Sequence, residues 1–78
     1  HGLLTVGATA GEAFMNMYYA IRMCEVAIQA TSSGLPLERA TEEMWKLSQK
    51  QYELFSPGLN EWPALLRRCD AKDPSYKE

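Results

Sequence analysis

The stretch HGLLTVGATAGEAF, residues His1 to Phe14, decides the fold. Gly2 to Val6 form a short apolar run between glycines, which reads as a fully buried strand, because such a strand needs no alternation of polar and apolar faces. No second strand is visible downstream. A lone strand leaves its N–H and C=O groups without ladder partners, and burying them unpaired costs about 1–3 kcal/mol apiece. The spacing therefore predicts that this strand, residues 2–6, pairs with something outside the sequence. Immediately after it, Thr9-Ala10-Gly11-Glu12 puts a hydroxyl at a helix N-cap and a carboxylate three positions on, the reciprocal arrangement of a capping box.

From that cap, Phe14, Met17, Ile21, Cys24 and Ile28 recur at steps of three and four, one stripe of a helix over about 10–32. Met15, Tyr18, Tyr19, Met23 and Val26 cover much of the remaining circumference, and polar exposure narrows to Asn16, Arg22, Glu25 and Gln29. A helix apolar on most sides is covered on most sides, so further cover is expected from missing sequence or another subunit. Beyond Gly34-Leu35-Pro36, the residues Leu37, Ala40, Met44, Leu47 and Leu54 predict a solvated helix over about 37–55, with Glu42 and Lys46 as an i,i+4 pair. Ser56-Pro57-Gly58 breaks it. Asn60 reads as the N-cap of a last helix, about 61–71, in which Trp62, Leu65, Leu66 and Cys69 share a stripe and Pro63 is tolerated in the first turn. Within this chain the class is mainly α, one short strand followed by three helices.

The 78 residues allow at most one domain, near the size where a single core yields only ~3–5 kcal/mol. Ten acidic and eight basic side chains give a formal charge of −2 with no long block of one sign, which offers no footprint for nucleic acid or an anionic membrane. The apolar runs fall short of the ~20 residues of a spanning helix, and the first residues lack a signal-peptide pattern, so a cytoplasmic protein is expected. Cys24 and Cys69 sit at apolar helix positions, where reduced, buried thiols are expected rather than a disulfide.

Chemistry is sparse. One histidine cannot make a metal site that requires three or four ligands, and on the residues alone His1 reads as an ordinary terminal residue. No serine or cysteine has a base and an orienting group at workable spacing, so no catalytic residue is assigned. Gly7 to Gly11 follow a strand and open a helix, but they lack either glycine fingerprint, and tight helix-on-strand packing explains the small residues better than phosphate binding. Glu12 is explained by its capping position before any role as a general base.

The order of pieces nevertheless resembles a known family. The run HGLLTVGATAGEAFMNMYYAIRMCEVAIQA is similar to the segment that follows the last metal-binding histidine in the class II aldolase/adducin family, with His1-Gly2, Gly7, Glu12-Ala13 and Cys24-Glu25 in the matching places. The tail EWPALLRRCDAKDPSYKE is similar to the C-terminal end of its adducin-like bacterial and fungal branch. The resemblance implies an α/β class: the C-terminal fragment of an α/β/α sandwich, residues 1–78 being the trailing part of one domain whose N-terminal part is missing. It also implies a divalent metal, usually zinc, held by three histidines, two from an upstream H-x-H motif and one corresponding to His1. The reaction implied is that of a lyase or isomerase acting through an enediolate on a small sugar phosphate or hydroxy-keto compound. The fragment alone is expected to be inactive, and the parent a homo-oligomer, a tetramer in the family. Two other readings remain open at this stage: a non-catalytic, adducin-like self-assembly module, and a free-standing helical bundle.

Overall fold

A computed structural model describes all residues, 1–78. Three α-helices follow one another: α1 (Ala10–Ser32), α2 (Glu42–Leu54) and α3 (Glu61–Lys72), closed by a 3₁₀ turn over Pro74–Lys77. There is no β-strand, which corrects the expected strand at 2–6. The physical reason is the one that made the strand suspect: a ladder requires a second strand, and this chain has none. Leu4 accordingly lies 89% exposed, and Leu3 and Val6 are exposed beside it. The segment is tied down by side chains instead. The Thr5 hydroxyl donates to the Ala13 carbonyl at 2.8 Å, and the Asn16 amide donates to the Val6 carbonyl at 3.0 Å.

Helix α1 starts where a cap is available. Thr9 is extended (φ −132°, ψ 161°), and its hydroxyl accepts from the Glu12 N–H at 3.1 Å. The returning bond of the capping box is displaced by one residue, since the Glu12 carboxylate accepts from the Ala8 N–H at 3.2 Å rather than from Thr9. At the far end the last turn has no basic residue. The hydroxyls of Thr31, Ser32 and Ser33 donate to the carbonyls of Ala27, Ile28 and Ala30 there, and Gly34 leaves the helix at φ +72°.

Helix α2 begins five residues later than the expected 37. Thr41 caps it, accepting from the Met44 N–H at 3.3 Å, and Glu42 and Glu43 place negative charge against the positive end of the helix dipole. Leu37 and Ala40 therefore belong to the connection. Their three-residue spacing imitated a helix, but the backbone becomes helical only after the Thr41 cap. The Glu42–Lys46 pair closes at 2.6 Å on the exposed surface. Helix α3 has Asn60 at its N-cap, but with helical backbone angles (φ −94°, ψ −34°) its side chain makes no capping bond; Glu61 accepts from the Gly58 N–H at 3.0 Å instead. At the other end Asp73 caps the 3₁₀ turn, and Asp70 accepts from the Tyr76 hydroxyl at 2.5 Å and pairs with Lys77 at 2.8 Å.

What core exists lies where the start of α1 meets the turn between α2 and α3. Only Gly11, Met15 and Gly58 are buried. Met15, off the expected stripe, is the covered side chain, while Phe14, Ile21 and Ile28 stay exposed. Phe14 and Trp62 stack tilted with ring centroids 5.8 Å apart. Cys24 and Cys69 are free and exposed, which corrects the expectation of buried thiols: the faces that carry them have no cover within these residues. The chain exposes 7188 Å², whereas a compact 8.8 kDa monomer exposes about 4,800 Å². Its radius of gyration, 16.3 Å, likewise exceeds the ~11.5 Å of a compact domain this long. No helix is long and apolar enough to cross a membrane.

Candidate functional site

The one site residue expected from the sequence, His1, stands at the exposed beginning of the segment that runs back to α1, and its imidazole makes no hydrogen bond. No group of three or more His, Cys, Asp or Glu side chains in the chain is placed to hold a metal ion. A free imidazole fits one ligand of a site completed elsewhere. It does not fit a self-contained centre, which needs three or four protein ligands.

The segment behind His1 is nevertheless held at defined points. Asn16 lies on the second turn of α1, half-buried, and uses both ends of its amide. Its N–H donates to Val6, and its carbonyl oxygen accepts from the Tyr52 hydroxyl at 2.6 Å, a bond that reaches across 36 residues to α2. Tyr52 is in turn seated edge-on against Tyr19, centroids 5.8 Å apart. Its phenol is pushed above the usual value, first by burial and then by the charges of Tyr19, Glu12 and Glu61. A phenol held protonated keeps its hydrogen for Asn16.

Two concavities flank this contact. An open apolar groove of about 950 Å³ runs between α1 and α2, lined by Tyr19, Met23, Val26 and Tyr52. On the other side of Tyr52, a smaller polar cleft of about 450 Å³ is lined by Glu12, Asn16, Gln49 and Glu53. Glu12 is thus at the cleft edge, but its carboxylate is engaged with the Ala8 amide, in keeping with a structural role. Gly7 and Gly11 are needed for close approach. A Cβ on Gly7 would stand 2.6 Å from the Ala13 nitrogen, and one on Gly11 2.9 Å from the Trp62 Cβ, so the glycine-rich turn packs on the α2–α3 turn and on its own helix rather than on a strand.

Sequence reasoning overlooked Asn16 and Tyr52 as a pair. The available signal was slight: one of four polar side chains along the middle of a mostly apolar helix, whose partner lay far along the chain.

The whole chain aligns with two curated proteins that each carry the name "Putative aldolase class 2 protein". One, from Pseudomonas aeruginosa, is 31% identical over 84 residues, and the other, from Caulobacter vibrioides, is 35% identical over 83. Each alignment takes in all of this chain and 32% of the relative, so the chain spans about a third of the length of the curated relatives it matches. No family model matches, and no solved structure does. This chain is similar from end to end to two proteins so named, in agreement with the segment order read above.

Proposed function

We propose that these residues are the C-terminal part of a metal-dependent class II aldolase-like lyase or isomerase, which acts on a small sugar phosphate or hydroxy-keto compound. The end-to-end similarity to the two class 2 aldolase-named proteins carries this reading, and the free imidazole of His1 agrees with it. A divalent metal, zinc foremost, would supply polarisation of the substrate carbonyl, and His1 is the one side chain of this chain assigned to it. The work of the remaining residues is positional. Gly2 to Val6 join a sheet built by the rest of an α/β/α sandwich, satisfying the backbone groups that lack partners here. The apolar faces of α1 and α2 supply docking area for the rest of the domain and for further subunits of a homo-oligomer. The roughly 2,400 Å² exposed beyond a compact monomer is on the scale of an obligate interface.

The test uses the whole polypeptide and the 78-residue chain side by side. Metal content by elemental analysis and metal-dependent retro-aldol cleavage of a panel of small hydroxy-keto phosphates are expected for the whole protein. Both fall in His1→Ala, and the 78-residue chain does not turn over. Cleavage by the 78-residue chain alone would overturn the division of labour. A whole protein that self-assembles without metal or turnover would favour the non-catalytic, adducin-like module instead.

A further inference from the structure

The segment that carries His1 has an ambiguity built into its sequence. Register in a strand is normally set by alternation, because a slip of one residue turns every side chain to the other face. Leu3, Leu4 and Val6 are apolar on both faces, so hydrophobicity does not distinguish the correct register from its neighbour. A slip of one residue would move His1 by about 3.3 Å and reverse its direction, whereas a zinc–nitrogen bond tolerates only a few tenths of an ångström around ~2.0 Å.

Thr5 and Asn16 remove the ambiguity. The Thr5 side chain is fastened to the Ala13 carbonyl and the adjoining Val6 carbonyl to the Asn16 amide, so two consecutive residues are fixed against one helix. A slipped segment would bring Leu4 or Val6, which have no hydroxyl, opposite Ala13. The Tyr52 hydroxyl holds the other end of the amide, which sets its orientation with the N–H toward Val6. We infer that Thr5, Asn16 and Tyr52 form a register lock for the His1-bearing segment, with Asn16 as the positioning residue; its link to metal binding rests on the function proposed above.

The lock is tested in the whole polypeptide with cobalt(II) as a spectroscopic probe, alongside amide hydrogen exchange at residues 3–6. Thr5→Val and Asn16→Leu are expected to weaken cobalt binding by roughly 10-fold or more, in the range seen for outer-shell changes, and to alter the visible absorption of the bound cobalt. Both should speed exchange at residues 3–6. Thr5→Ser, which keeps the hydroxyl, is expected to restore affinity, and Tyr52→Phe to give a smaller loss. Far-UV circular dichroism confirms that each variant keeps its helices; should Asn16→Leu fail to fold, the Thr5→Val and Thr5→Ser pair decides. If His1→Ala abolishes cobalt binding but Thr5→Val and Asn16→Leu leave affinity and spectrum unchanged, the lock is refuted and the metal reading stands. If His1→Ala leaves cobalt binding unchanged, the metal reading fails, and the lock then stands or falls on exchange at residues 3–6: faster in Thr5→Val sustains it, unchanged overturns it.

Discussion

Replacing Gly58 by alanine should open the small core of this chain, and the expected size of the effect follows from two separable causes. Gly58 sits at φ +90°, in the region that glycine occupies readily and other residues do not. A Cβ there would stand 2.5 Å from the Gly11 carbonyl oxygen and 2.6 Å from the Glu12 nitrogen, both backbone atoms that cannot swing aside. Gly34 supplies the control, since it has φ +72° with open space where a Cβ would be. Gly34→Ala therefore suffers only the conformational penalty, about 1–2 kcal/mol, offset by ~0.4–1 kcal/mol from the stiffer unfolded chain. Gly58→Ala bears the same penalty plus forced separation of α1 from the α2–α3 turn, about 1–3 kcal/mol more. With a denaturant slope of roughly 2 kcal/mol/M, the urea midpoint of Gly58→Ala should lie about 1 M below that of Gly34→Ala. Gly11→Ala, with helical backbone and a contact to the Trp62 side chain rather than to main chain alone, should fall between them. The measurement is urea unfolding of the whole polypeptide followed by tryptophan fluorescence in a Trp45→Phe background, so that of this chain's two tryptophans only Trp62, at the contact, reports. Equal midpoints for Gly58→Ala and Gly34→Ala would refute the claim that the close approach of Gly11 and Gly58 organises this region.

The caps give a second comparison: Thr9→Ala and Thr41→Ala should each lose about 1 kcal/mol, because each hydroxyl accepts a first-turn N–H, while Asn60→Ala should be nearly neutral, its side chain making no such bond. Urea midpoints of the three variants check this, and a loss in Asn60→Ala as large as the others would contradict it. At the C-terminus, Lys77 and then Tyr76 hold the Asp70 carboxyl below the ordinary carboxylate range. A depressed folded-state pKa means that its contribution to the 3₁₀ turn is fully present above the ordinary aspartate pKa and is lost as pH falls through the depressed one. An NMR titration should find Asp70 among the last carboxylates to protonate, with the Tyr76 ring signals shifting at the same pH; both signatures should vanish in Asp70→Asn and weaken at high salt.

How legible these features were depends on how local their causes are. Helix α1 could be read to its ends because everything that starts and stops it lies within a few residues: the Thr9 cap, Glu12 behind it, the three hydroxyls of the last turn and Gly34. The start of α2 was misread because Leu37 and Ala40 continue a helical spacing, and periodicity alone does not mark a boundary; the stronger local signal was Thr41 followed by two glutamates. The absent strand is different in kind. Whether Gly2 to Val6 form one depends on residues with which they pair, so sequence pattern could mark the segment as strand-like but not supply the ladder. Likewise His1 has significance only through the resemblance, and the Asn16–Tyr52 bond joins residues 36 apart that no spacing rule connects.

The distribution of burial ties these observations together. Along α1 from Met15 onward cover declines, from Met15 at 7% exposed through Tyr19 and Ile21 at 42% and 44% to Ile28 at 66%. The best-packed turns are therefore those that face Gly58 and Trp62 and also hold Thr5 and Val6. A helix stabilised chiefly by its own propensity would show no such gradient, since propensity acts residue by residue and fraying would affect both ends. The gradient arises because the α2–α3 turn reaches only the beginning of α1, and the glycine contact lets it approach closely. The consequence is that the stretch next to the His1 segment is fixed by contacts internal to this chain, while the carboxyl-terminal half of α1 remains apolar surface without a partner in it. Loss of the proposed docking partners should thus loosen Met23 to Ile28 first and the clasp around Asn16 last, an order that hydrogen exchange in the 78-residue chain can read residue by residue.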